Sequence, residues 1–243
     1  MNKSIVILGS GRSGTSFLAN LLHSNGVYSG DCTNGTRENL GVRKINEDYL
    51  EKYYNGITRS KTPYGIISKD EIKVNEEYQS KSKKFVEDMS SNSSESNWWD
   101  NTQNYWMMKD PRTTLLHDMW VKHFDIVIGV FRNPSEVTNS YMKLLDVYFP
   151  NDKQEGYDIM LNYWKRFNQS LLDVFENSNK EKYLINFNGD VSKQIKNLFR
   201  NLEINLVNYN YNEDRKNQNT NELPDDMETK EIYDKLRNME NLT

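Results

Sequence analysis

Cysteine is nearly absent from this chain. Cys32 is the only one in 243 residues, so no disulfide can form within the chain and the composition suits a reducing compartment. Histidine is almost as scarce, and without a Cys/His cluster no metal site is expected. No window reaches the roughly 18 consecutive apolar residues of a spanning helix. Met1-Asn2-Lys3 runs straight into an apolar stretch and leaves no room for a signal peptide, so a soluble, cytoplasmic protein is expected. Positive charge is not in excess: 31 Lys and Arg stand against 35 Asp and Glu, a net charge of −4. That balance argues against nucleic acid as the main partner, since polyanion binders carry a basic field or stripe. No internal repeat is visible, and the length suits one domain over residues 1–243.

What is present begins at the N-terminus. Ile5-Val6-Ile7-Leu8 is an unbroken apolar run, as a strand covered on both faces requires. Gly9-Ser10-Gly11-Arg12-Ser13-Gly14-Thr15-Ser16 then turns the chain into an amphipathic segment from Phe17 to His23. The first N–H groups of such a helix lack partners, and with the positive end of the helix dipole they make an anion site. The glycines match both the dinucleotide pattern G-x-G-x-x-G and the spacing of the nucleoside-triphosphate loop. The latter wants Lys where Thr15 stands; the cation here is Arg12, inside the loop, whose planar fork can hold two oxygens of one phosphate.

A second strand-to-helix junction follows Ile126-Val127-Ile128-Gly129-Val130-Phe131. Arg132 leaves the strand, Asn133 suits an N-cap, Pro134 suits the first helical position, and Glu136 can close a capping box. Val137, Tyr141, Leu144, Leu145 and Tyr148 recur at helical spacing, with Ser140 at the edge of that stripe. In open α/β sheets this rim, at the carboxyl ends of strands, is where ligands bind.

Together these two junctions resemble the cofactor motifs of the sulfotransferases. The resemblance implies that Gly11, Arg12, Ser13, Gly14, Thr15 and Ser16 hold the 5′-phosphosulfate of 3′-phosphoadenosine-5′-phosphosulfate (PAPS). Arg132 and Ser140, eight residues apart, would hold its 3′-phosphate, leaving 3′,5′-adenosine bisphosphate as product. Lys109-Asp110-Pro111-Arg112 is similar to a run in the tyrosylprotein sulfotransferases and bacterial relatives, where the Lys touches the oxygen that departs with the nucleotide; Lys109 matches it. The small-molecule enzymes of the family use a His near this strand, but Met107-Met108-Lys109-Asp110 has none. Bacterial relatives carry Gly-x-x-Glu ahead of a helix, and Gly35-Thr36-Arg37-Glu38, with Asn46-Glu47 beyond it, fits that layout. Glu38 is therefore the expected general base, with Asp31 and Glu47 as substitutes, and it must reach the acceptor hydroxyl in a partly desolvated setting. Family members close the 3′-phosphate site with basic residues near the C-terminus, which nominates Arg215.

Apolar runs predict strands at 4–9, 105–109, 126–131 and 182–187, with a short fifth at Val27-Tyr28. Helical patterns lie at 14–24, 44–54, 70–89, 113–122, 134–148, 157–177, 190–201 and 227–238. The alternation predicts an α/β fold, a parallel sheet flanked by helices, of the P-loop kinase-like kind. Residues 90–104, polar and interrupted by Trp98-Trp99, read as a flexible loop, and 207–243 as a tail. The expected activity is sulfuryl transfer from PAPS to a hydroxyl or amine of a small-molecule, carbohydrate or peptide acceptor. Three readings compete with it: an ATP-dependent phosphotransferase, a non-catalytic nucleotide-binding module, and a dinucleotide oxidoreductase.

Overall fold

The computed structural model describes residues 2–54, 74–95, 104–145, 153–209 and 222–240. The four apolar runs form β1 (Lys3–Leu8), β2 (Tyr105–Lys109), β3 (Ile126–Phe131) and β4 (Glu181–Asn186). They make one parallel sheet in the order β2-β1-β3-β4. Alternate residues of the strands enter different cores, which is why β1 from Ile5 to Leu8 and β3 from Ile126 to Phe131 carry no charged residue. Ile5, Ile7, Ile128 and Val130 pack beneath α1 (Thr15–Ser24) and α7 (Val191–Asn201). Val6, Leu8, Val127 and Phe131 face a larger core built with α2 (Leu40–Tyr54), α3 (Glu76–Glu95), α4 (His117–Trp120), α5 (Pro134–Leu145), α6 (Lys153–Asn177) and α8 (Met227–Glu240).

The final helix, α8, sets Tyr233 against Phe131 and Trp164, with ring centroids 5.9 and 6.4 Å apart. The Trp164 indole N–H in turn donates to the Arg132 carbonyl at 2.9 Å. Among the described residues no helix is long and apolar enough to cross a membrane.

Several boundaries differ from the sequence reading, each for a local reason. Residues 113–122 are not one helix. They divide into a 3-10 turn, Pro111–Thr114, then α4, then a second 3-10 turn, Val121–His123. Tertiary bonds tighten the first turn: the Asp110 carboxylate accepts the Arg112 N–H at 2.9 Å, and Thr114 Oγ1 accepts the Gly9 N–H at 2.8 Å. The loop assigned to 90–104 begins too early, because α3 continues through residue 95. Its serines remain helical by turning their hydroxyls back on preceding carbonyls, Ser91 to Glu87 at 3.1 Å and Ser94 to Ser90 at 3.0 Å. Trp98, Trp99 and residues 70–73 lie outside the described residues.

Helix α2 starts at Leu40 rather than 44 and tolerates Gly41 where Phe85 packs close: a Cβ there would sit 2.5 Å from that ring. Helix α6 starts at Lys153 rather than 157. The short strand at Val27-Tyr28 is an isolated bridge, with Tyr28 paired to Trp106. That bridge still covers the outer edge of β2, as Tyr28 N–H bonds the Tyr105 carbonyl at 3.1 Å and Met107 N–H bonds the Tyr28 carbonyl at 2.7 Å.

Candidate active site

The Gly-rich loop leaves the carboxyl end of β1 and is fixed from below. Gly11 N–H donates to the Tyr163 hydroxyl at 3.0 Å, and the Ser13 hydroxyl, fully buried, donates to the Ser10 carbonyl at 2.6 Å. Arg12 (φ 65°) and Gly14 (φ 110°) adopt left-handed backbone, the first a strained choice for a residue with a side chain. Among the described residues the N–H groups of Arg12, Gly14, Thr15 and Ser16 meet no protein acceptor, so the start of α1 keeps donors for an anion. Gly14 also lies against Phe187, where a Cβ would sit 2.3 Å from the ring. Replacing it with Ala combines φ strain with overpacking; Gly14→Ala is expected to destabilise by about 1–3 kcal/mol. Thermal denaturation should show a lower Tm, and an unchanged Tm would mean that the loop can rearrange without cost.

At the end of β3 the sequence reading holds in part. Asn133 caps α5 as expected, its Oδ1 accepting Ser135 N–H at 2.8 Å and Glu136 N–H at 3.4 Å. The reciprocal half of the capping box does not form. Asn133 N–H goes to Asn188 Oδ1 at 2.6 Å, and Glu136 instead takes the adjacent Arg132 guanidinium at 2.5 and 2.6 Å while accepting from Asn188 Nδ2 at 2.7 Å. A neighbouring cation is the stronger partner for that carboxylate than a main-chain donor. Ser140, two turns along α5, is buried, and its Oγ accepts from Arg12 Nε at 2.9 Å. Residues 128 positions apart thereby join the two motifs on one rim. The terminal nitrogens of Arg12 have no partner among the described residues.

The end of β2 carries a dense charge cluster. The Lys109 ammonium, on a side chain 2% exposed, donates to Ser16 Oγ at 3.2 Å, the Thr36 carbonyl at 3.1 Å and Glu38 Oε1 at 3.4 Å. Burial pulls its pKa below the ordinary lysine value, against the opposing pull of Glu38 and Asp110. The second oxygen of Glu38 lies 3.8 Å from Arg43 and 3.9 Å from Arg112, close enough to pair but not to hydrogen-bond. Asp110 has no exposed surface; burial pushes its carboxyl up, opposed chiefly by the Arg112 guanidinium at 2.6 Å. Arg112 reaches on to Glu47 at 2.7 Å, and Arg43 meets the same Glu47 oxygen at 2.9 Å. Glu47 is thus held by two arginines, while Asp31 is exposed at the loop start. Neither stands beside Lys109 as Glu38 does.

Sequence reasoning missed the residue that sets this arrangement. Asn39 is buried, and its Oδ1 accepts Lys109 N–H at 2.9 Å while its own N–H donates to the Lys109 carbonyl at 3.1 Å. Its Nδ2 donates to the Ser29 carbonyl at 2.6 Å. The side chain substitutes for a strand at the open edge of β2 and so fixes Glu38, one residue earlier, beside Lys109. Tyr163, Asn188 and Thr114 were also missed; nothing in their sequence neighbourhoods marks them. Asn46, noted only as a companion to Glu47, is fully buried and bonds Asp110 at 3.3 Å, Thr113 at 3.1 Å and the Trp120 indole at 2.8 Å. Arg215 lies outside the described residues. Among the described residues no group of three or more His, Cys, Asp or Glu is placed to hold a metal ion.

No family model matches the sequence, and no curated protein matches it. Among solved structures the chain is similar to a sulfotransferase domain from the curacin biosynthetic pathway, with a TM-score of 0.52 over 98% of each chain at 13% identity. The four-stranded parallel sheet flanked by helices is thus the P-loop-like sulfotransferase fold. At that identity the likeness is one of architecture.

Proposed function

We propose that this protein is a sulfotransferase that moves a sulfuryl group from PAPS to an acceptor hydroxyl or amine. The 2.9 Å bond from Arg12 to Ser140 carries the reading, because the Gly-rich loop and the start of α5 thereby share one rim. The residues suit the donor: main-chain donors at α1 and an end of Arg12 that meet no partner among the described residues, and Arg132 at the next strand end. Bound there, PAPS supplies the activated sulfuryl group.

The remaining steps belong to this chain. Arg12, the N–H groups of Gly14 to Ser16, Arg132 and Ser140 hold the nucleotide. Lys109 places a positive charge where the departing oxygen gains electron density, an effect worth about 2.7–4 kcal/mol of barrier in comparable sites. Glu38 accepts the proton of the acceptor. Holding donor and acceptor in line accounts for much of the remaining acceleration. The acceptor class, whether small molecule, carbohydrate or peptide, belongs to side chains beyond the charge cluster.

Thermal-shift measurements separate this reading from its rivals. By mass-action linkage the true ligand raises Tm. Adenosine 3′,5′-bisphosphate is expected to do so, whereas ATP with magnesium, or NAD, is not; the reverse order would favour a phosphotransferase or an oxidoreductase. Arg132→Ala should weaken bisphosphate binding by roughly 10-fold or more, the scale of one charge-assisted hydrogen bond of about 1.5–3 kcal/mol. Unchanged affinity in calorimetry would remove Arg132 from the nucleotide site.

A further inference from the structure

The Lys109 ammonium has no donor to spare. An ammonium carries three N–H groups, and all three are committed, to Ser16, Thr36 and Glu38. An oxygen of an arriving nucleotide can therefore be bound only by displacing one of these partners. Thr36 offers a main-chain carbonyl in a braced loop: Thr33 N–H bonds the Glu38 carbonyl at 2.9 Å, Glu38 N–H bonds Thr33 Oγ1 at 3.0 Å, and Asn20 Nδ2 bonds the Gly35 carbonyl at 2.9 Å. Ser16 sits in the first turn of α1.

Glu38 is the partner that can leave. Its contact is the longest of the three, it ends a rotatable side chain, and its other oxygen already lies within 4 Å of Arg43 and Arg112. A carboxylate moving off Lys109 is thus received by two further cations, and the buried ammonium exchanges one anion for another without being left uncompensated.

We infer that Glu38 has a role besides proton acceptance: it is the resting counterion of Lys109 and is exchanged for the anionic group of the nucleotide. The inference rests on the proposed reading of the site and adds an order to it. Until the nucleotide arrives, Glu38 Oε1 is occupied by Lys109; afterwards it is released to meet the acceptor. Nucleotide binding therefore comes first, and an acceptor that enters early finds its proton acceptor engaged.

Calorimetry with adenosine 3′,5′-bisphosphate tests the exchange without an acceptor. Glu38→Gln keeps the shape but removes the competing charge, so the nucleotide should bind at least about 5-fold more tightly, the lower end of usual coupling strengths. Glu47→Gln removes the same charge from the same cluster without touching Lys109; by relieving Arg43 and Arg112 of their shared carboxylate it eases the departure of Glu38 only indirectly, so its gain in affinity should be clearly smaller than that of Glu38→Gln. Equal or weaker binding by Glu38→Gln, or an equal gain in Glu47→Gln, overturns the exchange. Wild-type protein that binds no bisphosphate overturns the nucleotide site and the exchange with it; wild-type binding without a gain in Glu38→Gln removes the exchange alone. Should Glu38→Gln fail to fold, Glu38→Asp, whose carboxylate is one methylene short of Lys109, should show a gain in the same direction and is judged by the same criterion.

Discussion

Glu38→Gln should lower turnover by about 10²–10⁴, the span expected for loss of a general base, without weakening the hold on adenosine 3′,5′-bisphosphate. The two readouts part because Glu38 meets the nucleotide-facing Lys109 only as a competing counterion, whose loss does not weaken binding, and contacts none of Arg12, Arg132 or Ser140. The assay follows bisphosphate release from PAPS in the presence of phenolic, alcoholic and sugar acceptors. Any acceptor that supports turnover can serve as the reference for the variant. Undiminished turnover with that acceptor would hand the role to another group, with Glu47 next in line. A parallel loss of nucleotide affinity would mean that the substitution had disturbed the whole rim rather than the proton transfer.

The other large effect concerns stability and does not depend on the chemistry. Asp110 is fully buried and receives the Arg112 N–H, the Arg112 guanidinium and Asn46 Nδ2. Asp110→Ala leaves Arg112, a residue 4% exposed, without its nearest counterion and removes the cap of the turn that follows. Breaking one side of such a buried pair costs about 3–5 kcal/mol. For a domain of this size about 2–4 °C of Tm is lost per kcal/mol, so a fall of roughly 6–20 °C is expected by circular dichroism. Arg112 keeps Glu47 as a second partner, which places the result toward the lower part of that range. A change of less than about 3 °C would show that Glu47, with Glu38 nearby, can satisfy Arg112.

The strands and the two strand-to-helix junctions were legible because their signals are local. Val6 and Ile7 point into different cores, so a run apolar at every position could be read as a strand covered on both sides. Asn133 and Pro134 marked the start of α5 by chemistry contained within four residues. That Glu38 stands beside Lys109 was not legible in the sequence, since what brings them together is a pair of bonds from Asn39 across 70 positions. The same limit explains the misread 113–122 helix. Its first turn is shaped by Gly9, more than a hundred residues away, and no helical pattern within the segment records that contact. Glu136 was misassigned for the opposite reason: the local pattern was present, but an arginine four positions earlier offered a better partner.

The indole of Trp164 has a bearing on how the molecule comes into being. It supports Arg132 from behind and is itself backed by Tyr233, which emerges from the ribosome about a hundred residues after Arg132. During synthesis the Arg132 carbonyl can therefore meet its indole partner before the ring that backs that indole has been made, and this end of β3 reaches its final packing only once α8 has emerged.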